Sequence, residues 1–197
     1  MYPMGVIHGR FQPLHRDHVK YIRAGMERCA FMYVGITNPD PGLTREDAAD
    51  DHRALASANP CTYYERLLMI RGALRDAGYD ADRFCVVPFP INVPQMWRYY
   101  VPEDAVYFLT IYDAWGERKL RLIQDAGLQA EVLWRRPVEE KGLVASDIRE
   151  QIALGRPWQH MVPEATRKVM AQFDIAPRIR RLVQADDGTP PASRAVL

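Results

Sequence analysis

His15 and His18 stand three residues apart, directly after Gly9-Arg10-Phe11-Gln12-Pro13 and ahead of a stretch with helical apolar spacing. On the first turn of a helix, that interval puts both imidazoles on one face. Two imidazoles aimed at a phosphate chain can donate hydrogen bonds to oxygens that gain negative charge during phosphoryl transfer. Arg10 can add charge-assisted bonds to the same oxygens. The opening of a helix supplies exposed backbone N–H groups and the positive end of its dipole. Gly9 permits close backbone approach by a polyphosphate, and Pro13 stiffens the turn before the helix. An HxxH pair alone is more often structural or a metal fragment; the strand and glycine-led turn in front of this one favour a phosphate site.

A strand, a turn and a helix must hold these groups. Met4 to His8 is a short apolar run ending at Gly9, which predicts a buried strand. Leu14 to Arg28 carries Val19, Ile22 and Met26 at helical intervals. Phe31 to Ile36 reads as a second buried strand, completing a βαβ unit with the usual right-handed crossover. Tyr63 to Ala77 predicts an amphipathic helix capped by Gly78. Phe84 to Val87, Ala105 to Thr110 and Ala130 to Leu133 predict three further strands, and Asp113 to Ala126 a helix before Gly127. Beyond Ser146 the pattern is helical only, over Ser146 to Leu154 and Pro163 to Phe173. The alternation implies an α/β fold with a doubly wound, mainly parallel sheet of about five strands and a C-terminal helical segment. In such sheets ligands bind beyond the carboxyl ends of the strands, where Gly9 lies. Boundaries are expected at 1–145 for the sheet domain and 146–175 for the helices, with a disordered tail over 185–197.

The strand followed by Gly-Arg-Phe-Gln-Pro-x-His-x-x-His resembles the signature of the HxGH nucleotidylyltransferase superfamily. The GRFQPxH form is similar to that of archaeal-type nicotinamide mononucleotide adenylyltransferases. Pro60-Cys61-Thr62-Tyr63-Tyr64-Glu65-Arg66 resembles the family's NPFTxxER helix start. Pro88 to Tyr100 is similar to its proline- and asparagine-containing loop, and Ser146-Asp147-Ile148-Arg149 to the end of its second signature. The resemblance runs in order over about residues 4 to 173. It implies a Rossmann-like core in which His15 and His18 stabilise the transition state. It further implies that Gly9, Arg10, Phe11, Gln12, Ser146 and Arg149 hold the triphosphate, with Arg149 also catalytic. Asn92 and Trp97 would serve the acceptor, Trp97 by stacking on its ring. Tyr63 and Arg66 are weaker candidates. Mg²⁺ is expected with the triphosphate, and no metal site made of protein ligands. The implied substrates are a nucleoside triphosphate and a small phosphorylated acceptor.

Two positions depart from the family pattern. Asp17 stands where the superfamily has glycine between its histidines, and Val144-Ala145 replaces the small polar pair before Ser146. A carboxylate at position 17 should repel phosphates unless it points away or binds a cation. The departures keep three functions open. One is transfer of AMP from ATP to nicotinamide or nicotinate mononucleotide. Another is a cytidylyltransferase, or other nucleotidylyltransferase, acting on a phosphonate or small phosphate ester. The third is a nucleotide-binding protein without turnover, which would be expected to lose one of the two histidines.

Other groups have plainer readings. Ser146 alone would be a helix cap, Arg149 a surface cation, and Trp97 a core or interface residue. His8 reads as a packing residue, and His52 and His160 as incidental. The acids of Glu46 to Asp51 read as a solvated loop. Cys29, Cys61 and Cys85 form no CxxC pair, which argues against a zinc site and fits a reducing cytoplasm. A net charge of +1 excludes a nucleic-acid binder working by bulk charge. No apolar run is long enough to span a membrane, and no signal peptide opens the chain. The family often forms rings or dimers, which leaves room for a homo-oligomer.

Overall fold

A computed structural model describes residues 1–40, 55–186 and 188. Among them, five strands make one parallel sheet: β1 (Tyr2–Gly9), β2 (Cys29–Thr37), β3 (Phe84–Phe89), β4 (Val106–Ile111) and β5 (Ala130–Arg135). Their order is β3-β2-β1-β4-β5, and every neighbouring pair is parallel. The α-helices of the same residues are α1 (Arg16–Met26), α2 (Tyr63–Asp76), α3 (Ala114–Asp125), α4 (Ala145–Ala153), α5 (Glu164–Gln172) and α6 (Ile175–Asp186). The expected doubly wound sheet is therefore present. The predicted elements recur with ends shifted by at most two residues. α6 is an addition that the sequence pattern does not foretell. Ile175, Ile179 and Val183 recur every fourth residue and pack inward, but Pro177 and the run of arginines mask that spacing. Proline is tolerated in the first turn, where its missing N–H would be unpaired anyway. The acids Glu46 to Asp51, His52 and residues 189–197 lie outside the described residues. The helix reaching Asp186 replaces the disorder expected at 185 and 186.

Alternation along β1 feeds two cores. Ile7 joins Leu14, Ile22, Met69, Ile148 and Ile179 on the face that carries α1, α2 and α4 to α6. Val6 joins Phe89, Trp97, Leu109 and Ile123 on the opposite face, under α3. The C-terminal helices thus share a core with the sheet. Among the described residues no helix is long and apolar enough to cross a membrane.

One buried cation ties the strand ends together. Arg66 is 2% exposed. Its Nη1 donates to the carbonyls of Arg10 (3.0 Å) and Thr37 (2.8 Å), its Nη2 to Asn38 (2.9 Å), and its Nε to Thr62 (3.1 Å). Burial lowers its pKa to about 10, which still leaves it charged at neutral pH. Glu65 beside it is engaged elsewhere, in a bidentate pair with Arg178 at 2.8 Å. Arg66→Met would leave four carbonyls without this donor. Unmade bonds of that kind destabilise by roughly 3 kcal/mol in total, allowing for relaxation. The expected outcome is a lower urea midpoint with an unchanged slope; a midpoint equal to that of the wild type would show the clamp to be dispensable.

Candidate active site

Sequence order leaves β1 for β2 and β3 on one side and returns to β4 and β5 on the other. The crevice beyond the ends of β1 and β4 is the topological switch point, where α/β sheets bind ligands. Two adjoining cavities open there. The larger, of about 380 Å³, lies against His15, Thr110, Tyr112, Trp115, Trp134 and Arg136. The smaller, of about 270 Å³, lies against Arg10, Thr37, Asn38, Ile91 and Asn92. His8, Gly9, His18, Trp115, Lys119 and Lys141 line both, so they mark the junction.

The paired histidines build the start of α1. His15 is the N-cap and adopts an extended conformation. Its Nδ1 accepts the His18 N–H at 3.3 Å, and the Nδ1 of His18 accepts the His15 N–H at 3.3 Å. This is a capping box made of two imidazoles in place of the usual hydroxyl and carboxylate. The rings stack with centroids 3.5 Å apart. The cap engages the amides of His15 and His18. Those of Arg16 and Asp17 remain outside the helix's own ladder, so the opening helix offers fewer amides than its sequence suggests.

The same contacts fix the proton on each ring. A neutral imidazole whose Nδ1 accepts must carry its hydrogen on Nε2. Burial lowers the His15 pKa to about 4, with Asp17 opposing. Burial, then His15 and Arg10, hold His18 well below the ordinary histidine range. Both rings are therefore neutral Nε2–H donors beside the cavities.

The turn before α1 is propped from behind. Phe11 is fully buried at φ 54° and meets the His18 ring edge-on at 4.9 Å. A side chain at position 9 would meet the Phe11 ring at 2.9 Å, so Gly9 is required by the fold as well as by any ligand. Gln12 spends its side chain on Cys61, accepting from its N–H at 2.7 Å and donating to its carbonyl at 2.9 Å. Phe11 and Gln12 can thus serve a nucleotide only through their backbone.

Several expected site residues sit elsewhere. Trp97 is 1% exposed, stacked on Phe89 at 5.0 Å, with its Nε1 donating to the Pro90 carbonyl at 3.0 Å. No face of its indole is free for an acceptor ring. Val144, not Ser146, is the N-cap of α4; Ser146 is an exposed second residue of that helix. Arg149 donates from Nη1 to the Gln12 carbonyl at 2.8 Å and belongs to neither cavity wall, so it shapes the turn. Arg10 lies beside the smaller cavity, and Asn92 joins it there. Asp17 is half-buried and lines the larger cavity, and it belongs to no metal cluster among the described residues. Its Oδ2 accepts the Leu143 N–H at 2.8 Å. Tyr63 reaches only the Val86 carbonyl, at 3.5 Å, and Arg66 points inward.

Four junction residues carry no clear sign in the sequence. His8, which reads there as packing, is 5% exposed, and both its ring nitrogens lack a partner among the described residues. Trp115 and Lys119 come from α3, and Lys141 from the segment after β5, where it pairs with Asp113 at 3.1 Å. The one available signal is Asp113-Ala114-Trp115 at a strand-to-helix junction. Tyr112, Trp115 and Trp134 give the larger cavity an aromatic wall suited to a planar base. Among the described residues no three His, Cys, Asp or Glu side chains come together as a metal site.

No family model matches the chain. It is 49% identical over 176 residues to a phosphonoformate cytidylyltransferase from Streptomyces viridochromogenes, covering 89% of this chain and 95% of that one. A nicotinamide-nucleotide adenylyltransferase from Ignicoccus hospitalis is 32% identical, over 90% and 96% of the two chains. One from Methanospirillum hungatei is 34% identical, over 93% and 95%. Among solved structures, a bifunctional NMN adenylyltransferase/ADP ribose pyrophosphatase from Francisella tularensis superposes with a TM-score of 0.67 at 15% identity. That match covers 95% of this chain and only 54% of the bifunctional protein, so the chain spans about half its length; it supports the fold.

The imidazoles set an acid limit on the folded chain. Unfolded histidines bind a proton below about pH 6.5, whereas His15 refuses one down to about 4 and His8 down to about 3. The unfolded state holds more protons across that window, so stability falls as pH drops from 6.5 toward 4. In proton NMR of the ligand-free protein, the His15 and His8 ring signals should stay flat between pH 8 and 5.5. Titration near 6.5 would show that these rings are solvated.

Proposed function

The chain belongs to the nucleotidylyltransferase superfamily that holds these relatives, and on that premise we propose that it transfers CMP from CTP to a small phosphonate acid, releasing pyrophosphate. The single observation behind the choice of acceptor is the smaller cavity. At about 270 Å³ it falls at or below the low end of typical ligand pockets, roughly 300–1,000 Å³. Trp97, which would have stacked on a nicotinamide ring, is locked in the core. The relative at 49% identity, named for phosphonoformate, points the same way. The archaeal relatives support a second reading, AMP transfer from ATP to nicotinamide mononucleotide.

The chemistry is an in-line displacement. An acceptor oxygen in the smaller cavity forms a bond to the α-phosphorus, and the bond from that phosphorus to the bridging oxygen breaks. Pyrophosphate leaves with the electron pair. The protein needs no covalent intermediate; it positions the groups and neutralises charge. The larger cavity would take the base against its aromatic wall and the triphosphate against the opening of α1. His15 and His18 donate Nε2–H to phosphate oxygens, and Lys119 and Lys141 add positive charge where the cavities meet. Mg²⁺ would come with the triphosphate, neutralising phosphate charge and keeping several waters.

A matrix of four nucleoside triphosphates against phosphonoformate, nicotinamide mononucleotide and small phosphate esters, read by pyrophosphate release, tests this. CTP with phosphonoformate should be the most active pair; turnover confined to ATP and nicotinamide mononucleotide would select the second reading. His18→Ala should lower kcat on the order of a hundredfold while the triphosphate dissociation constant changes little. An unchanged kcat would remove His18 as a transition-state donor.

A further inference from the structure

His8 stands at the junction of the cavities with polar atoms that none of the described residues uses. It occupies the end of β1, stacks on Phe89 with centroids 5.3 Å apart, and is 5% exposed. Neither Nδ1 nor Nε2 has a hydrogen-bond partner among the described residues, although His8 lines both cavities. A buried donor and a buried acceptor left unmade cost free energy that an aliphatic side chain in the same place would avoid. Such a group in a cavity wall is best explained by a ligand that completes it.

The ring's position selects which ligand. It stacks on Phe89, the last residue of β3, and Ile91 and Asn92 just beyond that strand line the smaller cavity. Lys119 approaches closely enough to disfavour a charge on the ring. His15 and His18, at the start of α1, already serve the triphosphate side.

We propose that His8 reads the acceptor: its imidazole donates an N–H to the second acid group of a compact phosphonate, the group that does not attack, in the pocket bounded by Arg10, Asn38 and Lys119. This rests on the transfer reaction proposed above and names its substrate class, an acid with two anionic groups on or next to one phosphorus. Burial keeps the pKa of His8 at about 3, so the ring acts as a neutral donor, and Lys119 supplies the charge. His8 would make the enzyme discriminate between acceptors that carry the second acid and those that lack it. A site built to bond a polar group rejects analogues without it far more strongly than an apolar pocket can.

The experiment compares phosphonoformate with methylphosphonate, which lacks the carboxylate, in wild-type protein, His8→Leu and His8→Asn, following pyrophosphate release with CTP. Wild type should favour phosphonoformate. His8→Leu should raise the KM for phosphonoformate about 10- to 100-fold, the range of one hydrogen bond to a charged group. The KM for CTP should stay within about twofold, because His8 bonds the acceptor and not the triphosphate. The preference over methylphosphonate should collapse. His8→Leu should also melt at a higher temperature, since an aliphatic side chain leaves no buried polar atom unpaired. If it fails to fold, His8→Asn, which keeps a donor, should show the same kinetic trend at smaller size. An unchanged KM for phosphonoformate in both variants, or a rise in the KM for CTP instead, would overturn the assignment while leaving the transfer reaction intact. Absence of pyrophosphate with every triphosphate in wild-type protein would sink the reaction and the assignment together.

Discussion

A guanidinium buried with no carboxylate bonded to it among the described residues holds the strand ends together. Arg66 directs its hydrogen bonds to main-chain carbonyls at the ends of β1 and β2 and at the cap of α2. A buried cation normally has an acid for company, but the neighbouring acid, Glu65, is taken by Arg178. The arrangement is costly and has a consequence for binding. A carbonyl bonded to a cation inside the protein cannot also point at a phosphate in the crevice. Arg66 takes the carbonyl of Arg10, and Arg149 that of Gln12. Two buried or half-buried arginines thus pull back the oxygens that would repel a polyphosphate. What the turn and the start of α1 then bring to the crevice is Gly9, Arg10 and the paired imidazoles. Both arginines thus shape the turn through the geometry of the peptide chain.

Division of labour between neutral and charged donors follows from the same burial. Packing His15 and His18 against each other, and His18 against Phe11, makes protonation of either ring expensive. Positively charged residues meet them at the cavities: Arg10 at the smaller one, and Lys119 and Lys141 where the two join. Neutral donors with a fixed tautomer offer the same hydrogen bond across the physiological pH range. A histidine titrating near its ordinary pKa would lose that constancy.

The sequence made visible what is local. Strand, glycine turn and helix could be read from apolar spacing, and the His15–His18 pair from its three-residue interval. The βαβ rhythm sufficed for a parallel sheet, and hence for a crevice beyond Gly9. Hidden were the features that depend on which elements meet. Lys119 and Trp115 look like ordinary residues of an amphipathic helix; only the strand order that places β4 beside β1 brings them to His8. Trp97 misled for a related reason. A tryptophan in a loop near the site can stack on a ligand or on its own neighbours, and Phe89 and Tyr107 decide the matter by flanking it. His8 misled in the other direction. Its place at the end of a buried strand suggested packing, and the lack of a polar partner for its nitrogens among the described residues becomes apparent only in three dimensions. Ser146 shows how small the margin can be: the helix begins two residues earlier than a cap at that hydroxyl would place it.

Asp17 ties one departure from the family signatures to the segment just ahead of the other. The carboxylate between the paired histidines lies in the wall of the larger cavity. Its Oδ2 accepts the Leu143 amide, joining the first turn of α1 to the segment that leads into α4. Gly142, next to that amide, has φ +69°, and a side chain there would come within 2.5 Å of the same oxygen. The carboxylate and the glycine therefore depend on each other: restoring bulk at 142 expels Asp17, and removing Asp17 frees the approach to α4. Where the superfamily pattern has glycine, this chain ties the first turn of α1 to the segment that leads into α4, the helix from which Arg149 braces the turn through the Gln12 carbonyl.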